Sequence, residues 1–265
     1  MNIVVCIKQV PDTTEVKIDP ITNTLVRAGA PSIANPYDLY ALELALKLKD
    51  ENSEIQVIAM SMGPAQATEV LKEAICMGAD RGVLLSDRAF AGADTLATSY
   101  ALAAAIKKIG NVGMVLCGKQ AIDGDTAQVG PEIAENLSIP QVTYVQDIKL
   151  NEGEAILTRN CEDYLQKIKV QGSFLATVEK HGCEPRLGSI RGKLNALHAE
   201  IEVLTVKDVE VEEHCLGLNG SPTQVSKIFT PKISRMKNEI IQDQAPEIAV
   251  DMLLEKLISA KIISN

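Results

Sequence analysis

The residues with the clearest capacity for chemistry lie in one stretch, Gly118-Lys119-Gln120-Ala121-Ile122-Asp123-Gly124-Asp125-Thr126. It falls between a continuously apolar run and a segment of helical spacing. Two glycines flanking polar and acidic residues let backbone amides approach a phosphate or pyrophosphate closely. Asp123 and Asp125 could equally do no more than cap the helix that follows, and both readings stand at this point. Asp125-Thr126 has the residue types of a metal-and-phosphate pair, but no second carboxylate stands at useful spacing, so no metal site is expected. Three further turns precede helical segments: Asn35-Pro36-Tyr37-Asp38, Gly63-Pro64 after Ser61-Met62, and Asp94-Thr95. A helix start aims unpaired N–H groups and a partial positive charge forward. In an open parallel sheet such turns gather at the carboxyl edge, so the four predict one crevice.

Other chemistry is poorly supported. There is no G-x-G-x-x-G, no G-x-x-x-x-G-K-[ST], no H-E-x-x-H and no G-x-S-x-G. His181, His198 and His214 all stand late in the chain, away from the crevice turns. The six cysteines, Cys6, Cys76, Cys117, Cys161, Cys183 and Cys215, form no C-x-x-C pair, which argues against structural zinc or an iron–sulfur cluster. With 26 Lys and Arg against 35 Asp and Glu, the net charge is −9 and counterion release on nucleic acid is disfavoured. Aromatics make up only 3% of the chain and Trp is absent, so stacked rings are not its main binding tool. No leader-like or membrane-length apolar run is seen, and a reducing, cytoplasmic setting without membrane insertion is expected.

The elements that must position these turns follow from periodicity. The apolar runs Ile3–Ile7, Ile55–Ala59, Gly82–Leu85 and Val112–Leu116 read as buried parallel strands, because they do not alternate. Helical stripes separate them: Leu39 to Leu48, Ala67 to Ile75, Leu96 to Ile106, and a fourth helix from about Gln128 to Leu137. Beyond Pro140, the segments Gln141–Val145, Glu154–Thr158 and Lys167–Val170 alternate as antiparallel strands do, and His181–Lys193 reads as a Gly-rich, charged loop. The expected fold is α/β: a doubly wound, mainly parallel sheet with an antiparallel extension and a C-terminal partner-binding arm. The nucleotide-binding domain is placed at 1–213 and the arm at 214–265, its helix running from Pro246 to Ile262.

Read in order, Cys6-Ile7-Lys8-Gln9-Val10-Pro11-Asp12, Asn35-Pro36, Ser61-Met62-Gly63-Pro64-Ala65-Gln66, Met77-Gly78-Ala79-Asp80-Arg81-Gly82 and Gly118 through Gly130 resemble the β subunit of electron transfer flavoproteins, over nearly the whole chain. The resemblance implies a heterodimer with an α subunit and an adenine-nucleotide site. Its contacts would fall on Cys6, on Asn35, Pro36, Tyr37 and Asp38, on Met62 and Gly63, and on Gly118, Lys119, Gln120, Ala121, Ile122, Asp123, Gly124, Asp125, Thr126, Ala127, Gln128 and Val129. Simple members hold AMP there. Electron-bifurcating members hold the ADP part of a second FAD that accepts hydride from NADH.

The segments Val10–Pro20 and Ala93–Tyr100 are similar to the bifurcating, anaerobe-type branch, in which Asp94, Thr95 and Thr98 would face the ribityl or pyrophosphate part of the flavin. Ferredoxin and an acyl-CoA dehydrogenase-type flavoenzyme are then the implied electron acceptors. Glu184-Pro185-Arg186 resembles the start of the loop that anchors dehydrogenases, with Ile190 as its apolar anchor. Tyr164, Ser173 and Arg191 depart from the family pattern. The alternatives are a non-bifurcating carrier with structural AMP, and a nucleotide-sensing regulatory α/β protein.

Overall fold

The computed structural model describes residues 1–12, 32–151, 153–180, 184–226, 240–242 and 244–263, in two compact units, Met1–Ser226 and Lys227–Asn265. In the first unit the strands are β1 (Asn2–Cys6), β2 (Gln9–Pro11), β3 (Ser32–Ala34), β4 (Gln56–Met62), β5 (Arg81–Leu85), β6 (Val112–Gly118), β7 (Gln141–Asn151), β8 (Glu154–Cys161), β9 (Tyr164–Gln171), β10 (Phe174–Val178) and β11 (Glu202–Leu204). The helices are α1 (Pro36–Glu51), α2 (Thr68–Met77), α3 (Thr95–Ile109), α4 (Val129–Leu137) and α5 (Ile190–His198). Nine strands form one sheet in the order β11-β5-β4-β1-β6-β10-β7-β8-β9, and β2 pairs with β3 apart from it. Every pair from β11 to β7 is parallel, and β8 and β9 continue antiparallel.

Both faces of the parallel part are covered, which is why its strands are apolar on both sides. Ile3 and Val5 of β1, Val57 and Ala59 of β4 and Leu116 of β6 face α1 and α2. The alternate residues, Val4, Ile58, Met60, Val115 and Cys117, face α3 and α4. From β1 the chain winds through β4 to β5, then crosses to β6 on the other side of β1. That reversal opens a crevice at the carboxyl ends of β1 and β6.

Several elements differ from the sequence reading, which expected none of β2, β3 and β11. β10 was not expected, yet it is a fully buried central strand between β6 and β7. Its run is as short and as apolar as that of β5, and its place comes from two parallel neighbours far apart in the chain. β7 pairs parallel with β10 along its first half and antiparallel with β8 along its second, with a register irregularity in each ladder. The expected loop after Lys180 contains α5, started by Ser189, whose side chain accepts from Gly192 N at 2.9 Å. His181 to Cys183 lie outside the described residues, as do the positions of Val10–Pro20 beyond Asp12. The segment His214–Ser226, grouped by sequence with the arm, packs in the first unit, where Leu216 is 3% exposed. In the second unit α6 (Pro246–Ser259) starts on a proline at its first turn.

The loop leading to α5 is fixed by a charge pair. Glu43 of α1 is 4% exposed and accepts from Arg186 N at 2.9 Å, from its Nε at 2.9 Å and from its Nη2 at 3.0 Å, while Asp50 takes the same guanidinium at 2.7 Å. Two carboxylates hold the guanidinium protonated more firmly than usual. Replacing Arg186→Ala leaves Glu43 buried and uncompensated. The expected loss is about 2–3 kcal/mol, below that of a fully buried pair because Arg186 is partly exposed, read as a lower urea midpoint. The double variant Arg186→Met with Glu43→Leu is expected to recover most of it.

Candidate functional site

The crevice is built around Asp38, in the first turn of α1. Its carboxylate is 5% exposed and accepts from Lys8 N at 2.8 Å and Gly118 N at 3.0 Å, the backbones just past β1 and at the end of β6. Burial pushes its pKa up from 3.8 to about 7, against the opposing pull of those hydrogen bonds, of Asn35 and of the Lys8 charge. Gly118 is required by this close approach, since a Cβ there would stand 2.6 Å from the Tyr37 carbonyl carbon and 2.7 Å from Asp38 N. Asn35, expected as a helix cap, makes no side-chain cap. It reaches across instead, donating to Gln120 O at 2.9 Å and accepting from Ile122 N at 3.2 Å, so it pins the loop after β6.

Asp123 of that loop is held by Lys8 Nζ at 2.6 Å, and Asp125 accepts from Gln120 Nε2 at 2.7 Å. Neither caps α4, which has no side-chain cap. Asp125 and Ala127 have φ of 51° and 55°, a left-handed conformation that non-glycine residues adopt at a cost. The amides of Thr126, Ala127, Gln128, Val129 and Gly130 follow in this loop and at the start of α4. Among the described residues none of the five donates to a protein acceptor, and all five residues line the cavity. Alternating left- and right-handed backbone ahead of a helix is a concave anion site.

Across the cavity stands the start of α3. Asp94 caps it, accepting from Ala97 N at 3.1 Å, and the same carboxylate takes Thr223 N at 3.1 Å and Thr223 Oγ1 at 2.7 Å. Partial burial opposes ionisation, but these donors hold the carboxyl below its ordinary value. Thr95 Oγ1 bridges to Gln128 Oε1 at 3.3 Å and Glu132 Oε1 at 3.2 Å, tying the two helix starts together. The cavity as a whole measures about 740 Å³, within the range of small-molecule sites.

Of the residues named from sequence, Cys6, Asp38, Met62, Gly63, Asp94, Thr95, Thr98, Gly118, Lys119, Gln120, Ala121, Gly124 and Thr126–Val129 line this cavity. Asn35, Pro36, Tyr37, Ile122, Asp123 and Asp125 do not, and act behind it. Sequence reasoning missed Lys8 and the segment from Ser86 to Ala93, including Arg88 and Phe90. The signal for the segment was its place directly after a parallel strand, β5, at the same carboxyl edge. Among the described residues no three His, Cys, Asp or Glu side chains gather as a metal site.

Comparison with known proteins matches residues 22–209 to the electron transfer flavoprotein domain. The chain belongs to the electron transfer flavoprotein family. It is 48% identical to the electron transfer flavoprotein subunit beta of Megasphaera elsdenii, over 99% of this chain and 100% of that one. It is 50% identical to the caffeyl-CoA reductase-Etf complex subunit CarD of Acetobacterium woodii, over 99% and 100%. With Protein FixA of Azorhizobium caulinodans the identity is 44%, over 97% and 94%.

Within this electron transfer flavoprotein fold, the residues expected to meet a partner divide. Arg186 is turned inward onto Glu43, and Glu184 accepts from the Tyr40 hydroxyl at 3.2 Å. Pro185 is half-buried beside them. Ile190, in the first turn of α5, is 85% exposed, in line with exposed Leu187, Leu194 and Leu197. Among the described residues no helix is long and apolar enough to cross a membrane.

Asp38 generates a pH signature. The folded chain holds its proton up to about pH 7, whereas the unfolded chain releases it near 3.8, so between these values the folded state binds more protons. Its contribution to stability is therefore fully present below the lower value and is lost as pH rises through the upper one. Compared with wild type, Asp38→Asn is expected to be less stable overall, because one amide loses its acceptor, and to lack this downward slope. Urea midpoints measured across the window check it, and parallel slopes would refute the assignment.

Proposed function

We propose that the chain is the β subunit of a heterodimeric, electron-bifurcating electron transfer flavoprotein, and that its cavity holds an FAD. The observation that carries this reading is the run of five amides, Thr126 to Gly130, that donate to no acceptor among the described residues and line one cavity with the start of α3. A mononucleotide phosphate needs one helix start. The start of α4 and its loop offer five amides, enough for a pyrophosphate, and the lining at Arg88 and from Phe90 to Ala93 leaves room for the rest of a dinucleotide.

The residues fit the group by their chemistry: the amides of Thr126–Gly130 and the Arg88 side chain in the lining for phosphate oxygens, and an apolar floor from Met60, Leu85 and Leu102. FAD, when bound, supplies hydride acceptance from NADH and release of single electrons, one towards the α-subunit FAD and an acyl-CoA dehydrogenase-type enzyme, the other towards ferredoxin. The chain's own part is to grip, orient and exclude water. The amides of Thr126–Gly130 bind phosphate, Asp94 and Thr95 hold α3 at the right place, and Asn35 and Asp38 keep the loop's shape. Ile190, with the stripe behind it, is the anchor for a dehydrogenase, and Arg186 positions it. A relative supports work beside a reductase: CarD is by name a subunit of a reductase-Etf complex. A reducing, cytoplasmic setting goes with this reading.

Releasing and quantifying the nucleotides of the complex purified with its α subunit tests it. Two FAD per heterodimer, with absorbance bleached by NADH, is the expected result. One FAD plus AMP would replace it with the simple carrier reading, and a colourless complex would exclude both. Asp94→Ala combined with Thr95→Ala is expected to lower the flavin content of this chain while costing about 1–2 kcal/mol for the lost cap, with far-UV dichroism unchanged. Unchanged FAD content in that variant would remove the start of α3 from the site.

A further inference from the structure

Cys6 and Cys117 are neighbours in the sheet. They are register partners on the adjacent parallel strands β1 and β6, so both side chains leave the same face, and both line the cavity. Adjacent strands lie about 4.7–4.9 Å apart, inside the window of about 4.4–6.8 Å between Cα atoms that a disulfide spans. Cys117 is 6% exposed and Cys6 is half-buried, so the pair has an outer and an inner thiol. Cys76, Cys161 and Cys215 are also free, but among the described residues none of them is the register partner of another cysteine. The electron-transfer reading gives the two thiols no task as a pair.

We propose that Cys6 and Cys117 form a modification site, a dithiol in the cavity wall that a low-molecular-weight disulfide oxidises to a Cys6–Cys117 disulfide. The Cys6 thiolate attacks one sulfur of the reagent, its S–S bond breaks, and the first reagent thiolate leaves. Cys117 gives its proton to solvent and attacks the Cys6 sulfur, the mixed disulfide breaks, and the second reagent thiolate leaves. The protein loses two electrons and two protons, and the reagent is reduced to two thiols. The order follows from the environment. The Cys6 thiol, burial and the Asp38 charge push the Cys117 thiol well up, so Cys117 is the slow, resolving partner. Because both thiols line the cavity, a ligand seated there shields them, a coupling that rests on the nucleotide reading above.

The full-length chain, stripped of nucleotide and treated with oxidised glutathione, is alkylated, digested and weighed by mass spectrometry. The expected product is the Cys6 peptide linked to the Cys117 peptide, lighter by two hydrogens. Cys117→Ser is expected to stop at glutathione on Cys6. A stable mixed disulfide on Cys6 of the parent chain, or cross-links only among other cysteines, would overturn the site. With AMP at about ten times its dissociation constant, measured separately by equilibrium dialysis, the cross-linking rate is expected to fall about tenfold. Bound AMP that leaves the rate unchanged would overturn the coupling. Cross-linking in a chain that fails to bind AMP would uphold the dithiol and count against the nucleotide reading instead.

Discussion

One buried carboxylate governs the geometry of this molecule's cavity. Asp38 sits where α1 begins and takes one amide from just past β1 and one from the end of β6. Those are the strands between which the sheet order reverses, so they have no common turn to hold them in step. Their ladder pairs them as far as Cys6 and Cys117, and the carboxylate joins the chain just beyond it. Its cost in desolvation is visible in its raised pKa, and it is offset because both oxygens are used and a lysine stands outside. Gly118, Asn35 and Lys8 all follow from it: the first permits the approach, and the other two hold the loop that the approach launches.

The cavity is furnished mainly with backbone. Two helix starts and a strained loop present amides, while the charged side chains nearby largely face one another, Lys8 to Asp123 and Lys119 to Glu179. Among the described residues Phe90 is the one aromatic ring in the lining, in a chain with no Trp. A site of this kind suits phosphate esters by its geometry, through amides more than through charged side chains. Its left-handed residues, Asp125 and Ala127, are where strain is stored to keep donors aimed at a ligand.

Much of this was legible beforehand. Parallel strands, the four turns at their carboxyl ends and the Gly118 loop could be read from continuous apolar runs followed by caps, because burial on both faces and helix starts leave strong local signals. Asp94 behaves as its spacing implies. What could not be read depended on distant partners. Asn35 looks like a cap, and only the approach of residues 120–122 makes it a clamp. β10 takes its place from two neighbours contributed by other parts of the chain. Arg186 reads as a surface charge until α1 presents Glu43 to it.

The row Leu187, Ile190, Leu194 and Leu197 also bears on how the chain behaves alone in solution. An exposed apolar strip is an invitation to self-association, and here it belongs to a molecule of net charge −9. Like charge keeps copies apart while its field reaches beyond contact distance. At an ionic strength where screening falls to about 8–10 Å, the field no longer does so, and the strip becomes adhesive. Colloidal stability of the free chain thus declines as salt rises, the reverse of what simple ion pairing between copies would produce.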